Sequence, residues 1–509
     1  MRNPDVVVVG AGGAGAVLAA RLSEEPGCRV LLLEAGPVPR DGFPTPVLDA
    51  RLVPGAMPAH PYVRPIPVRL TPDRCYAAPR GRVLGGSTTV NGGYFVRARR
   101  ADFARWARCC GDPRWSYERV LPLLRALETD LDLPDDPGHG RTGPVPVHRT
   151  PLTHPAAAAF AAAARELGHP AEPDKNAQDP PGVGPVPTNT LGGLRVNAGL
   201  AYLLGALDRP NLAVRGDCTV RSVVIHRGRA TGVVAESAGR RVVVPAGETV
   251  LCAGSLATPH LLHLSGVGPA TRLTRLGLPV AADLPAVGAA LSDHPQVALT
   301  WRPRRPVADP EGTWLGGALH LTSSFAEPGA GDLEILQSLV PMTALAEGTT
   351  AAGRAPQLFL ASVQTPRRRG GLRTVSADPD VPPRVDHGYL ATAADRAGLR
   401  EAVRAAAALT AAGAFAEIGA GVEDPAASVL GDDRALDGWI RARLGTAQHT
   451  CGTVPMGPSA AVDAHGRVHG VAGLRVADTS ILPDAPLRGP AATAVLIGEL
   501  AARSLRYGV

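Results

Sequence analysis

The run Val6–Val9, closed at once by Gly10-Ala11-Gly12-Gly13-Ala14-Gly15, constrains this chain more than any other segment. Four β-branched residues without a polar interruption predict a strand buried on both faces, and the G-x-G-x-x-G spacing sets glycines where that strand turns into a helix. Gly10 permits the tight turn, Gly12 lets backbone amides approach a pyrophosphate, and Gly15 lets the helix pack closely on the strand, with Gly13 and Ala14 completing the turn. An anion held there lies at a helix N-terminus, where unpaired N–H groups and the helix dipole favour negative charge. A helical run from Ala16 to Glu25 and a second strand from Arg29 to Glu34 follow. Glu34 falls about twenty residues past the glycines, where a carboxylate accepts from ribose hydroxyls and repels a 2′-phosphate. The unit predicts a bound dinucleotide and disfavours NADP; NAD and FAD stay open.

The 509 residues, 45% hydrophobic, suffice for two or three domains with large cores. Cys28, Cys75, Cys109, Cys110, Cys218, Cys252 and Cys451 form no C-x-x-C pair, which argues against a zinc site or disulfide framework. The net charge of +6 is carried almost wholly by arginine, Lys175 being the sole lysine, so lysine-anchored covalent chemistry is disfavoured. Arg367-Arg368-Arg369 lacks interleaved aromatics and reads as a solvated hairpin tip, not a nucleic-acid contact. No membrane span is evident. The apolar N-terminal stretch carries Asp5 and glycines without a basic leader, so a cytoplasmic protein is expected.

The pattern along the chain predicts an α/β protein. A Rossmann-like nucleotide domain over 1–300 carries inserted loops, a sheet-plus-helix (α+β) substrate domain covers 301–445, and 446–509 returns to the first domain. Pro37 to Pro79 reads as an extended connector, and 102–107 and 116–128 as helices. Loops rich in Pro, Gly and Asp at 134–146 and 172–190 are candidates for the border of an active-site entrance. Short β-rich runs from Leu212 to Val244 predict a small sheet leading to a buried strand at 249–253. An Ala-rich helix is expected near 393–412 and a last one over 491–505.

Three further segments carry chemistry. Gly81-Arg82-Val83-Leu84-Gly85-Gly86-Ser87-Thr88-Thr89-Val90-Asn91-Gly92-Gly93 can lay its backbone against a flat ring, since paired glycines remove the Cβ atoms that block approach. A turn with a helix cap is the equally plain reading of that loop by itself. The run from Gly254 to Gly268 says strand, turn, helix; its His260 and His263 lack a third ligand, so no metal is expected. Near the C-terminus, His449-Thr450-Cys451-Gly452-Thr453 is followed by Leu474-Arg475-Val476-Ala477-Asp478-Thr479-Ser480.

Together these segments resemble the glucose–methanol–choline (GMC) family of FAD oxidoreductases, from residue 5 to the last helix. The resemblance implies FAD in an extended pose, with Glu34 and Ala35 at the adenosine ribose and Val220 touching adenine through its backbone. Val83, Gly86, Ser87, Asn91, Gly92 and Gly93 would lie along the cofactor towards its ring, with Asp478, Thr479, Pro490 and Ala491 contributing from the C-terminal portion. Some relatives bond the flavin through a histidine just before the Asn91 position; Val90 stands there, implying non-covalent FAD. His449 matches the family's active-site histidine, the acceptor of an alcohol's hydroxyl proton. Relatives carry a second His or Asn just before a proline, where this chain reads Leu487-Arg488-Gly489-Pro490. Alignment of the substrate then falls to Arg488, His469 or a water. His294, in Asp293-His294-Pro295, reads as structural. Segments 90–95, 128–132 and 488–490 are similar to members associated with mycofactocin, a peptide-derived redox cofactor, implying reoxidation of a reduced carrier with electrons passing to a respiratory acceptor. An ordinary alcohol oxidase or dehydrogenase, a non-redox flavin lyase and a silent flavin-binding protein are the alternatives.

Overall fold

The computed structural model describes residues 3–351, 353–367 and 369–508. Val6–Val9 is the central strand of a five-stranded parallel sheet, ordered Leu212–Arg215, Val30–Leu33, Val6–Val9, Glu248–Leu251, Leu474–Val476. Its four valines are all buried, as a parallel strand covered on both faces requires; each is worth about 1.5–3 kcal/mol of burial. Helix Gly15–Leu22 covers this sheet and packs on the last helix, Ala491–Tyr507. Gly498 makes that contact possible, because a Cβ there would come 2.6 Å from the Ala14 carbonyl oxygen.

Leu212–Arg215 departs from expectation. It pairs with Val30–Leu33 at the edge of the parallel sheet, and only the strands Thr219–His226, Arg229–Ser237 and Arg240–Pro245 form the small antiparallel sheet. The break falls at Gly216-Asp217, where Asp217 takes a left-handed φ of 49°. The Pro-rich connector also holds more than was legible: Val63–Thr71 and Arg74–Gly81 form a hairpin.

A second sheet runs Gly419–Asp424, Pro295–Pro303, Gln357–Val363, Leu333–Ser338, Leu315–Leu321, Val183–Pro185, with Gly445–Thr446 also on Pro295–Pro303. Helices Ala393–Ala411 and Pro155–Glu166 back it. Phe160 of the latter meets Phe359 edge-on at 5.2 Å, over Gly317, where a Cβ would strike Phe160 at 2.9 Å. This sheet therefore reaches outside 301–445, drawing on Val183–Pro185 and on a strand that begins at Pro295. Arg369, at the tip expected to be merely solvated, reaches Asp484 at 3.1 Å, while Arg368 lies outside the described residues. No helix among the described residues is long and apolar enough to cross a membrane.

Candidate active site

At the C-terminal end of Val6–Val9 the glycines divide their tasks. Gly10 has φ 100°, and a Cβ there would lie 2.6 Å from the Cys252 carbonyl oxygen; one at Gly15 would lie 1.9 Å from the Gly10 carbonyl oxygen. A Cβ on Gly12 meets no protein atom within 4 Å. The turn is thus sealed behind and open in front, which suits a pyrophosphate on backbone amides. Glu34 ends the second strand, where Oε2 accepts the Ala11 N–H at 2.8 Å and Oε1 the Gly36 N–H at 2.9 Å. Burial pushes its carboxyl up to about 7. Asp217 and Cys218 hydrogen-bond the carbonyls of Gly36 and Glu34, which carries Val220, beside an irregularity in its strand pairing, along the same edge. The Ala35 carbonyl accepts from Arg82 Nε at 2.9 Å.

The second glycine loop docks on this turn. The Gly85 N–H donates to the Ala11 carbonyl at 2.8 Å, and a Cβ on Gly86 would lie 2.8 Å from Gly12 Cα. Gly13 faces Thr88 and Ala494, so the start of the last helix, after Pro490 and Ala491, arrives at the same place. Val83 is buried beneath the loop, and Ser87 Oγ accepts the Gly81 N–H at 3.2 Å. Asn91 Oδ1 accepts the Gly93 N–H at 3.0 Å, which fixes the turn at Gly92. Trp314, from the second sheet's side, donates Nε1–H to the Gly92 carbonyl at 2.9 Å and lies so close that a Gly92 Cβ would meet its ring at 2.6 Å. Asp478 is spent on the protein: it accepts from Gly254 N–H, Thr258 Oγ1 and Ser480 N–H. Thr479 Oγ1 donates to the Thr450 carbonyl at 3.2 Å, tying this segment to the one that bears His449.

His449 is held by a strand from far away in the sequence. Ser292 and Cys451 form an isolated antiparallel bridge, and next to it the fully buried Asp293 gathers five donors. Its Oδ1 accepts the His294 and His449 backbone N–H groups, each at 2.8 Å; its Oδ2 accepts from Thr450 Oγ1, Thr446 Oγ1 and His387 Nε2. Despite burial, those donors hold the Asp293 carboxyl well below the usual carboxylate range. Gln448, just ahead of His449, takes a left-handed φ of 68° and is clamped by Arg80 and Thr446, a strain that persists only where neighbours over-determine it.

The His449 ring is turned two ways. Its Nδ1 lies 2.8 Å from His294 Nδ1, while Nε2 faces Gly489, where a Cβ would stand 3.3 Å away. None of the described hydrogen bonds uses Nε2. Burial lowers the imidazole's pKa below its ordinary value, against the opposing charges of Asp293 and Glu334, so the ring is held neutral and able to take a proton. Glu334, buried on Leu333–Ser338, accepts from His320 Nε2 at 3.0 Å and Tyr94 Oη at 3.4 Å. His320 in turn meets Glu172 and the wholly buried Lys175, so the loop 172–190 does supply buried polar groups close to the site.

The two expected substrate contacts are both engaged by the protein. Arg488 is fully buried, with Nη1 on the Gly331 and Leu487 carbonyls. Asp102 takes the Leu487 N–H, which fixes the turn and sends the guanidinium towards Gly331. His469 gives its Nε2 to the Gly457 carbonyl at 3.0 Å and its backbone N–H to the Ala461 carbonyl at 3.2 Å. His294, read as structural, instead touches His449. Glu334, Tyr94 and Asp293 were missed altogether; only the Asp293-His294 pair had a sequence neighbour to flag it.

The one group of described side chains with metal-ligand geometry is Glu128, Asp130 and His139. Arg97 meets Glu128, and Arg149 meets Asp130 and Asp174. With His139 pushed up to about 11 by its three carboxylates, against burial, three cations answer three anions and a metal would be in excess. His260 and His263 both bond Thr374.

Residues 4–296 match the N-terminal model of the GMC oxidoreductases and residues 366–498 the C-terminal one. The chain belongs to the GMC oxidoreductase family. It is 39% identical over 510 residues to an uncharacterized GMC-type oxidoreductase of Rhodococcus erythropolis, covering 98% of both chains. It is 34% identical over 526 residues to an oxygen-dependent choline dehydrogenase of Rhizobium meliloti, covering 98% of this chain and 94% of that one. Among solved structures, pyridoxine 4-oxidase from Mesorbium loti superimposes with a TM-score of 0.90 at 30% identity, over 99% of each chain. This GMC protein is therefore an FAD-dependent oxidoreductase with an α/β fold. The open face of Gly12 and the converging glycine loops are what that cofactor requires.

Proposed function

We propose that this GMC protein oxidises the CH–OH group of a small-molecule alcohol. FAD, when bound, supplies the hydride acceptor at flavin N5. Gly10, Gly12, Gly13, Ala14 and Gly15 would hold its pyrophosphate, Glu34, Ala35 and Val220 its adenosine, and Val83, Gly86, Ser87, Asn91, Gly92 and Gly93 the stretch towards the ring. Asp478, Thr479, Pro490 and Ala491 close on it from the C-terminal side. The parallel-sheet part within 1–300 and 446–509 would hold the cofactor, and the second sheet, built mainly from 301–445 with Val183–Pro185 and the strand from Pro295, would cover the substrate. His449 takes the hydroxyl proton on Nε2, and Tyr94 and Glu334 orient the donor in place of the side chain that Gly489 lacks. The observation that carries this reading is the free Nε2, aimed at the space over Gly489 beside the segments that bind the cofactor.

Oxygen-dependent choline dehydrogenase and pyridoxine 4-oxidase, both similar to this chain throughout, favour a small alcohol. A second reading is favoured by Arg488-Gly489-Pro490 and the segments 90–95 and 128–132: the donor is a reduced mycofactocin-like carrier, and electrons pass to a respiratory acceptor. A cytoplasmic location is part of this proposal; the seven free thiols are in keeping with a reducing compartment. Val90 offers no atom for a covalent flavin bond, so acid precipitation should leave the yellow colour in solution.

Anaerobic titration of the holoenzyme with choline and pyridoxine tests the proposal. Bleaching of the flavin is expected in the parent and lost in His449→Ala, which keeps its FAD. Equal reduction rates in the two refute the role of His449. Bleaching by a reduced carrier alone, with dye turnover and little peroxide, selects the second reading.

A further inference from the structure

The geometry points to His294 as the positioning residue that sets the tautomer of His449: its Nδ1 accepts the His449 Nδ1–H, which leaves the lone pair on the Nε2 that faces Gly489. The inference deepens the proposed function, since it rests on His449 acting as proton acceptor.

Two nitrogens 2.8 Å apart share one proton, and the rings cross nearly at right angles, 85° with centroids at 5.0 Å. Either His449 donates, and its Nε2 is a base, or His294 donates, and the His449 Nε2 already carries a hydrogen and cannot take the substrate's. The His449 side decides between them. Its Nε2 faces the space over Gly489 and is used by none of the described hydrogen bonds, so as the base of the proposed reaction it keeps its lone pair there and carries its own proton on Nδ1. The completely buried His294 therefore accepts on Nδ1, and its proton belongs on Nε2.

Charge does not reverse this. Asp293, Glu334 and His449 face His294, and burial holds it neutral, down to about 3. Asp293, Glu334 and Arg80 face His449. When His449 takes a proton on Nε2, its Nδ1–H remains donated to His294, so the positive ring keeps a partner. The pairing is rigid because Asp293 Oδ1 takes the backbone N–H of both histidines. In a site with glycine at 489, the second imidazole stands behind the base rather than opposite it.

The test needs no substrate. Holoenzyme labelled with 15N-histidine, with the His449 ring identified by its loss in His449→Gln, reports the tautomer through long-range 1H–15N correlation. The expected result is a His449 proton on Nδ1, slow to exchange. In His294→Leu, loss of one hydrogen bond should shift the tautomer ratio about tenfold towards Nε2–H. His294→Gln, whose amide oxygen can accept, should restore the parent pattern. A His449 proton on Nε2 in the parent overturns the inference, even if neither variant folds; so does an unchanged ratio in a folded His294→Leu. Should the tautomer be as expected while no alcohol bleaches the flavin, the catalytic reading falls and the pairing stands.

Discussion

Replacing Asp293 by Asn is the sharpest probe of how His449 is placed. The carboxylate accepts five hydrogen bonds without any exposure. Asn keeps one oxygen for the two backbone amides of 294 and 449, but its NH2 group then faces three donors: two threonine hydroxyls and His387 Nε2–H. The hydroxyls can rotate to accept, and an amide nitrogen has two hydrogens, so at least one of the three contacts is lost. A hydrogen bond to a charged group is worth about 1.5–3 kcal/mol and a neutral one about 0.5–1.5. One lost bond and four weakened ones, offset by the easier burial of a neutral amide, leave a net cost of about 3–4 kcal/mol. Urea unfolding followed by far-ultraviolet circular dichroism, at one fixed FAD concentration because bound cofactor shifts the midpoint, measures it. The sign with pH is fixed as well. The folded pKa is depressed, so this stability is present above the unfolded value of about 3.9 and is lost as pH falls through the lower folded one. The parent's advantage over Asp293→Asn should therefore hold at neutral pH and shrink in acid. A difference under about 0.5 kcal/mol at pH 7, the level of an ordinary surface substitution, refutes the reasoning.

Gly12→Ala should fold and melt as the parent does without cofactor, yet lose at least about tenfold in FAD affinity, roughly 1.4 kcal/mol, whereas Gly10→Ala should lower the melting temperature of the apoprotein itself; equal effects of the two on FAD binding and melting would contradict the division of the turn. Because Glu34 is pushed up to about 7 and both its oxygens already accept backbone N–H groups, the proposed ribose hydroxyls would favour its ionised form, so FAD binding should release a proton and weaken as pH falls below about 7. Calorimetric titration in buffers of different ionisation heat checks this, and affinity independent of pH from 5 to 8 opposes it. His139→Gln leaves three buried carboxylates facing two arginines and should cost about 3–5 kcal/mol of stability without altering the flavin spectrum of the protein that folds. A variant as stable as the parent would show that the cluster is not an ion-paired staple.

What the chain declared in advance follows the range of the physics. The nucleotide turn was legible because phosphate recognition uses contiguous backbone, so Gly10, Gly12, Gly15 and Glu34 announce themselves by spacing. The Ala-rich helix at Ala393–Ala411 and the last helix were legible from run length and punctuation. Direction was not. Arg488 sits one residue from the site, but the grip of Asp102 on Leu487 N–H turns its side chain towards Gly331. Asp293 and His294 acquire their meaning only from pairing with residues about 150 positions away, and Leu212–Arg215 likewise takes its place from its pairing with Val30–Leu33, about 180 residues earlier.

The glycine at 489 draws these threads together. A side chain there would begin 3.3 Å from Nε2 and 3.4 Å from Cε1 of His449, close enough that the imidazole would have to give by a few tenths of an ångström. It cannot move cheaply, since Asp293 fixes its backbone and His294 its far nitrogen. The fixed imidazole and the small residue before Pro490 are thus one arrangement, which on the proposed function keeps the Nε2 face clear for the donor. In the proposed function the polar groups that align a donor are Tyr94, just beyond the Gly92 turn, and Glu334 on the second sheet, which hydrogen-bond each other. On the proposed function, orientation of the donor would depend on contact between the nucleotide-binding part and the second sheet, and Trp314 against Gly92 is one joint of that contact.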